Sequence, residues 1–158
     1  MRKQLALLAG ASVLSLLGAC GGGSDADPID KYVGTWSSCS KHDSGPGADL
    51  DTVVFTKTSA SAGAFTATPL SFDTADCTGA SAPGSDGVTS ASFTIAGTKT
   101  IAGKAGDKIM ATSGADAFKQ VFYVANGTLT IGLSDEDGGT RDAEGYPNEY
   151  EAGSLTKK

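Results

Sequence analysis

Histidine and tryptophan each occur once in this chain, at His42 and Trp36, while methionine occurs twice and cysteine three times. One histidine cannot build a multi-histidine zinc centre, and it leaves a single candidate general base for neutral-pH chemistry. Nothing like Gly-x-Ser-x-Gly appears. There is also no phosphate-cradling glycine loop, no basic-aromatic patch for nucleic acid and no internal repeat. No stretch sustains a helical period. Leu5 to Leu17 is apolar and uncharged over 13 residues, about 20 Å as a helix against a hydrocarbon core of about 30 Å. It is too short to span comfortably.

What is present begins with a leader. Met1-Arg2-Lys3 is a short basic start, the apolar run follows, and Leu17-Gly18-Ala19-Cys20 ends it. Basic, apolar and small-residue regions in that order describe a secretory signal peptide over residues 1–19. Leu17-Gly18-Ala19-Cys20 resembles the lipobox of bacterial lipoproteins. The resemblance implies cleavage before Cys20, diacylglycerol on its thiol and a membrane partner reached through that lipid. Because Gly21 rather than aspartate follows the cysteine, it also implies the outer membrane. Residues 20–28 read as a flexible glycine-rich tether, and 29–158 as one domain.

Loss of Arg2 and Lys3 with the leader brings the net charge to about −8, a balance that disfavours nucleic acid and anionic lipid surfaces. With Cys20 lipidated, Cys39 and Cys77 remain, and an oxidising envelope makes them a disulfide pair. A two-thiol zinc site would need two further ligands. No metal or cofactor is expected.

The rest is rich in threonine, serine, glycine and short apolar runs. Strands are expected at Lys31–Cys39, Leu50–Thr58, Gly63–Phe72, Val88–Ala96, Thr98–Ala102, Lys108–Thr112, Ala117–Ala125 and Thr128–Leu133. Pro69 places the third at an edge or a bulge. Asn126-Gly127 is a type I′ hairpin signal, and Asp73–Gly87 reads as loop around Cys77. Seven or eight strands without helices predict an all-β fold, a single small antiparallel barrel or sandwich.

Tyr32-Val33-Gly34-Thr35-Trp36 opens the domain. Gly34-Thr35-Trp36 is similar to the Gly-x-Trp motif of the calycins, the lipocalin and avidin superfamily. The resemblance implies that Gly34 permits a bend while Trp36 plugs the closed end of a barrel. It also implies a cation against the tryptophan, for which Arg141 is the candidate arginine. Small secreted metalloprotease inhibitors open with the same motif and carry one disulfide. Small periplasmic lysozyme inhibitors share the anchor and the barrel.

Candidate chemistry is sparse. Asp43 and Ser44 adjoin His42 in sequence rather than forming a spaced triad, so His42 reads as a solvated loop residue. Residues 135–144 concentrate carboxylates, but EF-hand spacing counted from Asp135 places Gly139 fifth and Tyr146 twelfth. Gly145-Tyr146-Pro147-Asn148 looks like a segment folded over a barrel end, with Tyr146 and Tyr150 as candidate partner contacts. The expectation is a non-catalytic, lipid-anchored envelope protein holding a small apolar ligand. The alternative is a protein-binding module, such as an inhibitor of a protease or lysozyme. A carrier requires an apolar cavity of several hundred Å³, whereas an interior filled by Trp36, Phe55, Phe93 and Phe122 leaves no room for one.

Overall fold

A computed structural model describes residues 26–158; the leader, Cys20 and the tether as far as Asp25 lie outside the described residues. Nine strands follow one another: Gly34–Lys41 (β1), Ala48–Lys57 (β2), Ala62–Phe72 (β3), Ser81–Pro83 (β4), Thr89–Ile101 (β5), Lys104–Ser113 (β6), Asp116–Ala125 (β7), Thr128–Ile131 (β8) and Leu155–Lys157 (β9). Eight of them, all but β4, pair antiparallel into a closed ring in which β9 joins β8 to β1. The short β4 pairs only with the last three residues of β3, Leu70 to Phe72. No helix occurs among the described residues.

Register builds the interior. Trp36 on β1 lies opposite Val53 on β2, which lies opposite Ala67 on β3; Phe55 faces Phe65 in the neighbouring rung. Because side chains alternate faces, fixing one rung fixes the row. Tyr32, Phe55, Phe93 and Phe122 contact one another with ring centroids 5.8–6.4 Å apart, mostly edge-on as ring quadrupoles prefer. The crowding needs a small residue at Gly63, where a Cβ would lie 2.5 Å from the Thr56 carbonyl oxygen and 3.0 Å from the Phe93 ring.

The antiparallel order sorts the connections between two ends. Turns 58–61, 102–103 and 126–127, the incoming segment 26–33 and the end of β9 gather at one end; loops 42–47, 73–88, 114–115 and 132–154 gather at the other. The first end is closed. Ile29, Tyr32 and Trp36 are wholly buried there, and the Trp36 indole donates to the Tyr32 carbonyl at 2.6 Å. The Tyr32 hydroxyl donates to Asp107 at 2.8 Å, and Lys31 pairs with the same carboxylate at 2.7 Å. Burial and the adjacent Asp107 push the Tyr32 phenol well above its ordinary pKa. Gly34 takes φ +122 where the segment turns into β1.

Four expectations need correction. Val88–Ala96 and Thr98–Ala102 are one strand, β5, broken in register by a bulge between Ile95 and Gly97. The bulge switches the alternation, so that Phe93 and Ile95 point inward while Lys99 and Ile101 point out. Pro69 sits in β3 where pairing with β5 has stopped at Ala67 and pairing with β4 begins at Leu70; its carbonyl accepts the Gly84 N–H at 3.0 Å. β9 was not expected, because three residues carry no legible alternation. It also supplies the cation at the tryptophan: Lys157, not Arg141, lies over the Trp36 ring at 5.2 Å.

Candidate functional site

At the open end the inward rows change from aromatic to polar. Above Trp36 and Val53 come Ser38 opposite Asp51, then Ser40 opposite Asp49, with Asp49 also opposite Ser71. The Cys39–Cys77 disulfide (S–S 2.07 Å, Cα–Cα 6.1 Å) ties β1 to the 73–88 loop beside this mouth. Cys77 holds φ +54 there. A cavity of about 280 Å³ opens among Ser38, Ser40, Asp51, Val53, Ile131 and Glu151, and a second of about 300 Å³ lies by His42, Asp49, Asp51, Ser71 and Asp86. Below them the barrel is filled: Trp36 is 0%, Phe55 3%, Phe93 2% and Phe122 4% exposed.

Charge is unevenly distributed. Apart from Asp27, Asp30 and Asp107, every side-chain carboxylate of residues 26–158 lies on segments 42–47, 73–88 and 132–154 or on strand ends at the open end. Partial burial, with Asp49 and Asp86 nearby, raises the pKa of Asp51; partial burial, with Asp137 and Asp51 nearby, raises that of Glu151.

The histidine is placed by pairing that sequence spacing does not reveal. Its Nε2 meets Asp49 at 3.1 Å, while the Ser71 hydroxyl donates to the other Asp49 oxygen at 2.6 Å. These bonds, Ser71 first, lower the Asp49 pKa. The carboxylate stands between imidazole and hydroxyl, so His42 does not contact the serine it would have to deprotonate. Gly47 lets the loop close on the imidazole, since a Cβ there would come within 2.7 Å of Nδ1. Asp43 and Ser44 are not part of this group.

Residues 133–153 form a strap, and it covers the outer wall rather than the barrel end. Ile101 and Val121, outward-facing on β5 and β7, pack with Tyr146, and Tyr150 joins them. Tyr146 is only 4% exposed, under the ammonium groups of Lys108 and Lys119 at 5.0 and 5.3 Å. It fastens the strap and presents no ring to a partner. The half-buried Tyr150 packs against Tyr123 with the rings tilted by 45°, and burial pushes its phenol up to about 12.

Lys99 donates to Asp142 at 2.6 Å and to the Tyr146 carbonyl at 3.2 Å. With the Tyr146 N–H, that contact takes the Asp142 pKa down to about 2. Arg141 pairs with Asp135 and donates to the Lys119 and Gly145 carbonyls. A groove of about 520 Å³ runs between strap and wall beside Met110, Thr112 and Lys119.

Among the described residues, no group of three or more histidine, cysteine or carboxylate side chains is placed to hold a metal ion. The described residues thus form a small closed eight-stranded barrel with a plugged end, an acidic mouth and a disulfide beside that mouth. No protein family, curated protein or solved structure matches this chain.

Proposed function

We propose that the protein is a lipid-anchored, calycin-like, non-catalytic binding protein of the bacterial cell envelope, probed by its partner at the open mouth. The observation that carries this reading is the filled interior. Four aromatic rings and Trp36 occupy the barrel interior that a small apolar ligand would need, and the mouth cavities of about 280 and 300 Å³ carry serine and carboxylate groups around a floor that includes Val53, Ala67 and Ile131. That favours the protein-binding module over a carrier. An acidic rim of this kind complements a basic protein surface, and a lysozyme or protease inhibitor that covers its target with rim loops is the form the reading takes. The Asp49-centred contacts of His42 and Ser71 support a non-catalytic role. The anchor itself is supported by the register of leader, apolar run and Cys20 in the sequence.

The test pairs two measurements on the mature protein. Titration against a basic lysozyme, followed by cell-wall hydrolysis, is expected to inhibit stoichiometrically and to weaken as salt is raised. Native mass spectrometry of the protein taken directly from membranes is expected to show no bound apolar molecule. An unaffected hydrolase together with a co-purifying lipid in the barrel would reverse the order of the two readings.

A further inference from the structure

We infer that the closed end of the barrel is the face turned toward the membrane, seated on anionic phospholipid headgroups, with the acidic mouth directed away. The inference rests on the anchor reading of Cys20 and adds an orientation to it.

The chain enters the barrel at the closed end, and it is fixed there. Ile29 is wholly buried and donates its N–H to the Ala60 carbonyl, while Lys57 bonds both Asp27 and Asp30 at 2.6 Å. Ala26 follows Cys20 by six positions, and six extended steps reach about 20 Å. An acylated Cys20 therefore keeps the closed end within that distance of the bilayer, and the barrel can only tilt about it.

Charge then selects the tilt. The closed-end carboxylates are all engaged by lysines: Asp27 and Asp30 by Lys57, Asp107 by Lys31. Lys104, Lys157 and Lys158 have no carboxylate partner among the described residues. Among the described residues, five lysines (Lys31, Lys57, Lys104, Lys157 and Lys158) stand at this end against three side-chain carboxylates (Asp27, Asp30 and Asp107), an excess of two positive side chains. Of the remaining carboxylates, Asp142 and Glu144 are held by Lys99 and Lys108 on the outer wall, and the mouth carries the unpaired excess. An anionic surface repels the mouth and leaves the lysines as the near contact, each worth about 1 kcal/mol, or about fivefold, close to such a surface. The overall negative charge argues against lipid binding by the molecule as a whole; its segregation argues for one face.

The experiment uses the mature protein with its own lipid, on phosphatidylcholine vesicles with and without phosphatidylglycerol, read by amide hydrogen exchange. With phosphatidylglycerol, residues 58–61, 102–104 and 126–127 should exchange several-fold more slowly than in detergent, and residues 42–47 and 73–88 should not change. The Lys104→Glu/Lys158→Glu variant, which removes about fivefold in attraction to the surface per lysine, should abolish that protection. Raised salt should weaken it without any substitution. Protection at the mouth, or equal exchange at both ends, overturns the orientation while leaving the anchor standing. Intact-mass analysis separates the other failure: no diacylglycerol on Cys20 overturns the anchor reading, and the orientation with it.

Discussion

The two ends of this barrel use their side chains for opposite purposes. At the closed end, the buried polar groups of the plug are paired: the Trp36 indole with a carbonyl, the Tyr32 hydroxyl with Asp107, Asp107 with Lys31. At the mouth, carboxylates accumulate in excess of the cations beside them, and burial raises the pKa of Asp51 and Glu151. Paired buried polar groups stabilise a single arrangement, whereas unpaired, half-buried charge works against folding. One end is organised for stability and the other tolerates a cost that a binding surface explains.

Substitutions can break or sharpen that contrast. The largest effect should come from Trp36→Ala, which removes the plug and its hydrogen bond and should cost about 3–5 kcal/mol in urea unfolding. Replacing Cys39 and Cys77 by serine should cost about 4 kcal/mol in the chain-entropy model. It should also speed hydrogen exchange first in residues 73–88, leaving the closed end protected. Tyr32→Phe, which keeps the ring and the Lys31–Asp107 pair, should cost about 1–2 kcal/mol. Near-equal losses at Trp36 and at rim residues would dissolve the contrast.

Acid should act with opposite sign at two sites. Asp142 is held at about 2 against an ordinary 3.8, so its contribution is complete above pH 3.8 and is lost as pH falls toward 2. The strap should loosen in that window, seen as exposure of Tyr146 by NMR, and Lys99→Ala should remove the effect. Asp51 and Glu151 have raised values, so their protonation as pH falls relieves a penalty and adds stability. The smallest effect should come from Asp51→Asn, which should shift stability by under about 0.5 kcal/mol while weakening binding of a basic partner.

Much of the closed end was legible in the sequence because its signals are local. Gly34 and Trp36 stand two residues apart. The Asn126-Gly127 turn needs positive φ at both positions and has 52° and 73°. The cysteine pair follows from counting once Cys20 is set aside. What stayed hidden depends on register between distant strands. His42, Asp49 and Ser71 meet only because β2 pairs with β3. Tyr146 looked like a candidate contact because nothing near it in sequence shows that the bulge in β5 turns Ile101 and Lys99 outward to receive the strap. A one-residue change of alternation moved a whole segment from the barrel end to its side.

The three residues of β9 carry a consequence for how the molecule assembles. β1 has only two neighbours, β2 and β9, and β9 follows every other strand in the chain. Until Leu155–Lys157 are available, β1 and β8 remain bare edges, and the Trp36 ring lacks the ammonium group that covers it. Pairing so distant in sequence is intrinsically slow. The ring is therefore a necklace fastened by its last bead: partly made chains stay open, and trimming a few residues after Ser154 would unfasten the whole circle.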